Sequence, residues 1–416
     1  MEPLNVLMVG TGEYTTGFVG GKASASDKKM GVVALSMFDL RRRGKVAKLS
    51  MVGTDGSKFP AIREHLHKNI SLVYNNLDTA FDGYPTGATR NPESYKEAID
   101  RLKRGDAITI FTPDTTHFPI ALYAIERGVH VMITKPAVKL LSHHLQLLAA
   151  AEQKGVFVYV EHHKRFDPAY DDARHRARRL GDFNYFYSYM SQPKFQLETF
   201  RAWAGVDSDI SYYLNSHHVD VCDSMVSPLG YVPTKVAASA SRGVATDLGC
   251  HPATEDTISL LVHWARPDAP GKHATAVYTA SWTAPQRAGV HSAQYFHYLA
   301  RDGEVRIDQA KRGYEVAEDA AGQLVWYNPF YMRYAPDADG HFAGQAGYGY
   351  VSMEKFVDGC RAVNAGALKP ADLDAKGLPT LRNTIATTAI LEAGRRSLDE
   401  NREVVIEVKD GVWGLV

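Results

Sequence analysis

The first 160 or so residues alternate short, almost wholly apolar β-prone runs with stretches of helical length, and this alternation constrains the fold more than any other feature. Asn5 to Val9 ends in Gly10, and Leu49 to Gly53 follows a helical stretch at Val32 to Arg42. Ala107 to Phe111 precedes helical Ile120 to Glu126, with Gly128 as its C-cap. Val129 to Thr134 precedes helical Ser142 to Lys154, with Gly155 closing it before Val156 to Val160. Strands with no polar face must be covered on both sides, which predicts a doubly wound parallel sheet in an α/β fold.

A chain of 416 residues exceeds what one core organises, so two domains are expected, with the boundary between residues 164 and 165. Past that point the pattern changes. A basic helix at Tyr170 to Arg179 leads into aromatic, alternating runs at Phe183 to Met190, Ala274 to Trp282 and Tyr295 to Leu299, as in antiparallel strands with one open face. Helices are predicted at Met353 to Val363 and Thr384 to Leu398, and a loop at Asp337 to Gly349. The 47 basic and 47 acidic residues balance, which disfavours nucleic acid and anionic membranes as partners. No run of eighteen apolar residues suggests a membrane span, and the N-terminus has no basic stretch or small-residue cleavage site, so a cytoplasmic protein is expected. Cys222, Cys250 and Cys360 are too far apart for a zinc or disulfide pattern and read as buried fillers.

Gly10-Thr11-Gly12 follows the first strand directly, where backbone amides can approach a pyrophosphate without interference from Cβ atoms. Glu13 and Tyr14 come next and are counted with the cofactor loop. Thr15 stands where a third glycine is usual, so the loop departs from the common Rossmann fingerprint. Glu13 to Met30 is long for a strand-to-helix connection and reads as an insertion, either over the cofactor or at a subunit contact. Asp55 at the end of the second strand favours NAD by accepting from the adenine ribose hydroxyls; Lys58 and Arg63 nearby would instead suit the phosphate of NADP. The cofactor expected is NAD or NADP, with a lean to NAD.

Ligands of such sheets sit beyond the carboxyl ends of the strands, where three polar sets fall: Thr112-Pro113-Asp114 with His117, Lys135-Pro136 after Thr134, and Glu161-His162-His163. A lysine beside a nicotinamide binds a reacting hydroxyl and stabilises the developing alkoxide, which singles out Lys135. Further on, His217 and Asp220 share one helical face, and the imidazole can take a proton near neutral pH. No third ligand accompanies them, so no metal is expected.

These residues resemble a known family. Thr112-Pro113-Asp114 through His117, Arg127-Gly128-Val129-His130-Val131 and Thr134-Lys135-Pro136 are similar to the T-P-x-x-x-H and A-G-K-H-V-x-x-E-K-P signature of the glucose–fructose oxidoreductase, inositol dehydrogenase and MocA-type sugar dehydrogenases. Arg165-Phe166-Asp167-Pro168 resembles that family's interdomain junction, and Ser216-His217-His218-Val219-Asp220 its G-x-H-x-x-D motif. The resemblance implies a second α/β domain with a large, mostly antiparallel open sheet used to form a homodimer or homotetramer. It also implies NAD(P)-dependent hydride transfer at a carbinol of a sugar, sugar acid or polyol, with Lys135 and His217 catalytic. Thr134, Lys135, Pro136 and His163 would join the cofactor set, and Lys135, His162, Arg165, Tyr213, Asn215, His217 and His218 would bind substrate. Two positions depart from the pattern: Tyr213 stands where an aspartate usually partners the histidine, with Asp209 out of register, and Thr134 stands where a glutamate is usual. A redox-neutral glycoside hydrolase or lyase, or a cofactor-binding regulator without catalysis, are the alternative readings.

Overall fold

The structure, a computed structural model, describes residues 1–24, 28–319, 323–326, 328–409 and 411–416. Strand β1 (Leu4–Val9) is followed by a small hairpin of β2 (Phe18–Val19) and β3 (Lys22–Ala23), then by β4 (Val46–Val52), β5 (Asp82–Tyr84), β6 (Ala107–Ile110), β7 (His130–Thr134) and β8 (Val158–Glu161). Six of these form one sheet in the order β5-β4-β1-β6-β7-β8, and every neighbouring pair is parallel. Every residue of β6 and β8 is buried, as the lack of a polar face requires. The strand order reverses between β1 and β6, which opens a crevice beyond their carboxyl ends.

The second sheet is built from β9 (Phe183–Pro193), β10 (Val232–Ser241), β11 (Thr257–Ala265), β12 (His273–Ala284), β13 (Ala293–Ala300), β14 (Gly303–Asp308), and, after a side hairpin of β15 (Glu315–Glu318) and β16 (Gln323–Trp326), β17 (Val404–Lys409) and β18 (Val412–Leu415). Its order is β14-β13-β9-β12-β11-β10-β17-β18, antiparallel throughout except for the β9/β12 pair. Alternation sorts the side chains: Phe186, Trp264, Tyr278 and Phe296 point into the core, while Tyr185, Tyr187, Tyr295 and His297 stay half-buried and Tyr189 and Leu261 exposed on the other face. The core face is covered by helices Ser216–Val226 and Ile385–Glu400. The second lies close because Gly394 has no Cβ; one there would come within 2.6 Å of Leu260.

Late in the chain, helix Tyr348–Asn364 returns to the first sheet, and Met353, Phe356, Val357 and Cys360 join one core with Met8, Leu49 and Phe157. Lys45 pairs with Glu354 and Asp358 at 2.7 Å along its edge. The expected boundary at residues 164 and 165 falls within the short 3₁₀ turn His163–Phe166, and the first sheet draws part of its cover from beyond it. The three cysteines are buried free thiols, as expected from their spacing.

The insertion after the glycine loop has a definite construction. Helix Glu13–Thr16 stops at Gly17, the chain leaves through the β2/β3 hairpin, and helix Val33–Arg42 takes over with the Val32 amide donating to the Tyr14 carbonyl at 2.9 Å. Gly17 and Gly31 pinch the two ends together. A Cβ at Gly17 would sit 2.3 Å from the Lys29 carbonyl oxygen, and one at Gly31 2.6 Å from that of Thr15. The excursion is thus spliced into the first turn of an otherwise ordinary helix.

Candidate active site

Gly10 ends β1 with φ +104°, and a Cβ there would lie 2.1 Å from the Phe111 carbonyl oxygen, so the turn can pass between β1 and β6 only as glycine. Gly12 has nothing within 4 Å of its Cβ position and is exposed. These residues fit a dinucleotide: the backbone of Thr11 and Gly12 lies open beside the crevice, where a pyrophosphate would be held. Tyr14 stacks on Phe111 with ring centroids 5.1 Å apart and bonds through its hydroxyl to Tyr331; Glu13 is bonded to Ser24. Both side chains therefore serve the loop and the insertion, while the cradle itself is backbone.

Asp55 sits beyond β4, with Oδ1 accepting from the Ser57 amide at 3.0 Å and its hydroxyl at 2.6 Å. These bonds hold its carboxyl below the ordinary range, with Arg90, 3.2 Å from Oδ2, adding to the effect. Arg63, considered above as a phosphate ligand, packs over the rings of Phe59 and Phe81 instead. Arg90, which lies thirty-five residues along the chain from Asp55, is the cation at this corner. Beyond the β4/β5 pair the two segments meet again in an antiparallel bridge of Asp55 with Arg90, a long-range contact that nothing in local spacing announces.

The strand ends supply the rest. Lys135, after β7, donates to the Tyr213 carbonyl, with its ammonium 4.2 Å from the center of the Tyr213 ring. Burial pushes its pKa down to about 8, with Lys28 adding to the shift, while Asp114 and Glu161 oppose it. Asp114 is bonded to Ser208, and burial raises its pKa. Tyr213 lies in the widened turn Ser211–Asn215 that opens helix Ser216–Val226, and packs on Phe200 and Trp203. The lysine thus meets a ring and a carbonyl where the resemblance would place a carboxylate. Asp209 does not replace it: its carboxylate accepts from the amides of Ser211 and Tyr212 and pairs with Arg395.

His217 stands on the first turn of the same helix, nearly buried, with no hydrogen bond at Nδ1 among the described residues. Burial, and then Lys135 and Lys164, push its pKa well below the ordinary imidazole value. Asp220, three residues on, does not serve it; both its oxygens accept from Arg165, at 2.6 and 2.8 Å. The ring of His163, after β8, lies 5.1 Å from those of His217 and Tyr331. Contacts therefore run unbroken from Tyr14 at the glycine loop through Tyr331 and His163 to His217.

Several expected contacts take other places. His117 is fully buried, and both ring nitrogens face backbone oxygens, of Thr112, Pro136 and Ala137, so it clasps two strand-end loops and has no side-chain atom left for a cofactor. Arg165 is spent on Asp220 and the Asn383 carbonyl. Asn215 bonds to Ser211 and the Ile258 carbonyl, and His218 to Tyr170, both with no exposed surface. His162 is buried between Asp220 and its neighbours. These four belong to the packing behind the site, because the widened turn that ends in Asn215 and the helix that carries His218 turn those positions into the core and Arg165 follows Asp220 there. Thr134 and Pro136 flank Lys135 at the strand end, Pro136 buried, and Thr112 accepts from the Thr116 hydroxyl beside exposed Pro113. Sequence reasoning gave no role to Lys164, Gln294, Tyr331 or Tyr348, although Tyr348 lies in Gly347-Tyr348-Gly349-Tyr350, a stretch that resembles the family's late loop. Three of the four come from segments more than a hundred residues beyond the strand ends, and the fourth lies inside the Arg165-Phe166-Asp167-Pro168 junction's own turn.

Residues 4–162 match a family model described as an oxidoreductase family with an NAD-binding Rossmann fold. Among curated proteins, an uncharacterized oxidoreductase, YdgJ, of Escherichia coli is 35% identical over 118 residues, covering 28% of this chain and 34% of the relative. A scyllo-inositol 2-dehydrogenase (NAD(+)) of Bacillus subtilis is 35% identical over 71 residues, 17% of this chain and 21% of that one. The matches thus span about a third or less of the curated relatives. The solved structure of myo-inositol 2-dehydrogenase from Lactobacillus plantarum superposes with a TM-score of 0.65 at 15% identity, over 98% of this chain and 100% of that one, which establishes a shared fold across both sheets. Through residues 4–162, which form the Rossmann half of this architecture, the chain is similar to the GFO_IDH_MocA oxidoreductases with their NAD-binding Rossmann fold.

Proposed function

We propose that the protein catalyses reversible hydride transfer between NAD and a carbinol carbon of a sugar, sugar acid or polyol. The convergence of Lys135, His163 and His217, joined through Tyr331 to the glycine loop, is the observation that supports this reading. When bound, the nicotinamide supplies the hydride acceptor or donor. Lys135 holds the substrate oxygen and stabilises negative charge developing on it, which an ammonium in a water-poor site does more strongly than one in bulk solvent. His217, kept neutral by burial and its cationic neighbours, is ready to take the hydroxyl proton. NAD is preferred to NADP because Asp55 presents a carboxylate where a 2′-phosphate would have to sit. The open face of the second sheet is the surface through which a homodimer or homotetramer would form.

The test is formation of reduced nicotinamide, followed by its near-ultraviolet absorbance, with NAD and with NADP against aldoses, uronic acids and inositols. Lys135→Ala and His217→Ala are expected to lose at least about 100-fold in kcat while retaining cofactor binding. A wild type that binds NAD and reduces none of it with any of these compounds would overturn the reading.

A further inference from the structure

Two pairs of imidazoles, His162 and His163 after β8 and His217 and His218 at the start of helix Ser216–Val226, differ in what holds them. His218 bonds through Nε2 to Tyr170, while among the described residues His217 and His162 have no hydrogen bond at Nδ1. The nearest carboxylate to His162, Asp220, stands 3.8 Å off and is already occupied by Arg165. His163 is different. Its Nδ1 donates to Glu161, 2.9 and 3.0 Å from the two carboxylate oxygens, and Glu161 is buried at the end of β8. A carboxylate in that position fixes the tautomer: the proton stays on Nδ1, and Nε2, which has no hydrogen bond among the described residues, is left as an acceptor. The ring faces His217 at 5.1 Å and is walled by Tyr331 and Tyr348 at 5.1 and 5.6 Å.

This arrangement answers a difficulty in the reaction. A proton taken by His217 makes a buried imidazolium beside the ammonium groups of Lys135 and Lys164, with no carboxylate bonded to it among the described residues; burial first, and then these cations, disfavour that charge. Such a cation is a poor resting place. We infer that the proton is passed from His217 to Nε2 of His163, and that Glu161 is the positioning carboxylate that stabilises the resulting imidazolium. As the carbinol C–H bond breaks and its electron pair leaves with the hydrogen to the bound dinucleotide, the O–H electron pair becomes the second carbonyl bond. The hydroxyl proton goes to His217, and the proton count closes on His163. The inference rests on the dehydrogenase reading above. In effect, Glu161 on a neighbouring strand end supplies the negative charge that Tyr213 withholds.

Glu161→Gln keeps the side chain's size and its ability to accept from Nδ1 while removing the charge. With a substrate that the wild type oxidises, we expect kcat to fall by at least about 10-fold, with KM for substrate and NAD within about twofold and the thermal midpoint unchanged. Glu161→Asp should recover part of the loss. Independently of turnover, nitrogen-15 imidazole spectra of the protein should show His163 as the Nδ1–H tautomer with a far-downfield Nδ1 proton, which Glu161→Gln moves upfield. His163 found as the Nε2–H tautomer, or an active wild type matched in kcat by Glu161→Gln, overturns this inference alone. A wild type that oxidises nothing overturns the dehydrogenase reading and the relay together.

Discussion

Lys135, by its burial, works against the stability of the fold. Its pKa of about 8, against an ordinary 10.5, means that between these values the folded state binds fewer protons than the unfolded chain. Stability therefore rises with pH through that window, and the burial penalty is fully present below it. Lys135→Met is accordingly expected to abolish turnover and yet stabilise the protein at neutral pH by about 1–3 kcal/mol, a gain that shrinks in alkaline buffer. Thermal or denaturant unfolding at two pH values checks this, and a loss of stability at neutral pH would refute it. His144 and His162 act in the acid range. Burial pushes both to about 4 from 6.5. As pH falls through this interval the unfolded chain takes up protons that the folded state refuses, so stability declines, by about 1.4 kcal/mol per pH unit for each group. His144 binds Thr388 at 2.8 Å and the Leu381 carbonyl at 2.7 Å, so His144→Asn should flatten this slope while lowering stability near neutrality.

At the scale of elements, the insertion after the glycine loop is held by its ends. Gly31, with φ +70° and a neighbouring carbonyl oxygen 2.6 Å from its Cβ position, cannot accept a side chain without moving the splice. Gly20 at the hairpin tip also has positive φ but nothing within 4 Å. Gly20→Ala should therefore show only the backbone penalty of about 1 kcal/mol, and Gly31→Ala clearly more, about 2–4 kcal/mol, with weaker NADH binding because Val32 and Tyr14 share the joint. Equal effects in denaturant melts would mean that the pinch carries no load. The insertion also reaches across the molecule, with Lys28 Nζ 3.3 Å from His291 Nε2 near the rim of the second sheet.

At the scale of the whole molecule, the first sheet is incomplete without the later chain. A fragment ending at residue 164 would lack helix Tyr348–Asn364 and uncover the faces of Phe157, Tyr159 and Leu49 that it protects. Such a fragment is expected to aggregate or to exchange its β8 amides rapidly, whereas the full chain protects them; a soluble, NAD-binding fragment would show otherwise. The second sheet offers an aromatic open face at Tyr185, Tyr187, Tyr189 and Tyr295. If two or four copies associate there, Tyr189→Glu should shift the mass measured by light scattering toward a monomer without altering the far-ultraviolet circular dichroism.

The sequence by itself determined the first sheet, because apolar strands of fixed length, glycine caps and intervening helices leave few packings other than a parallel sheet covered on both faces. It also marked Lys135, His163 and His217, since residues directly after such strands, and a histidine opening a buried helix, are local features. The tertiary structure decided the partners. Asp220 reads as the mate of His217 from helical spacing, but Arg165 arrives from fifty-five residues away and takes both oxygens. Asp55 reads as a ribose ligand flanked by Lys58 and Arg63, but strand pairing delivers Arg90 instead. Strand β10, with small and mixed residues such as Ala237 and Ser239, has no clear periodic signal and is fixed by its neighbours in the sheet, whereas β11 alternates Ile258, Leu260, Val262 and Trp264 into the core. Local pattern sets which residues stand at the ends of elements; which of them meet is set by long-range packing, because charges and hydrogen bonds are satisfied by whatever the folded chain brings within reach.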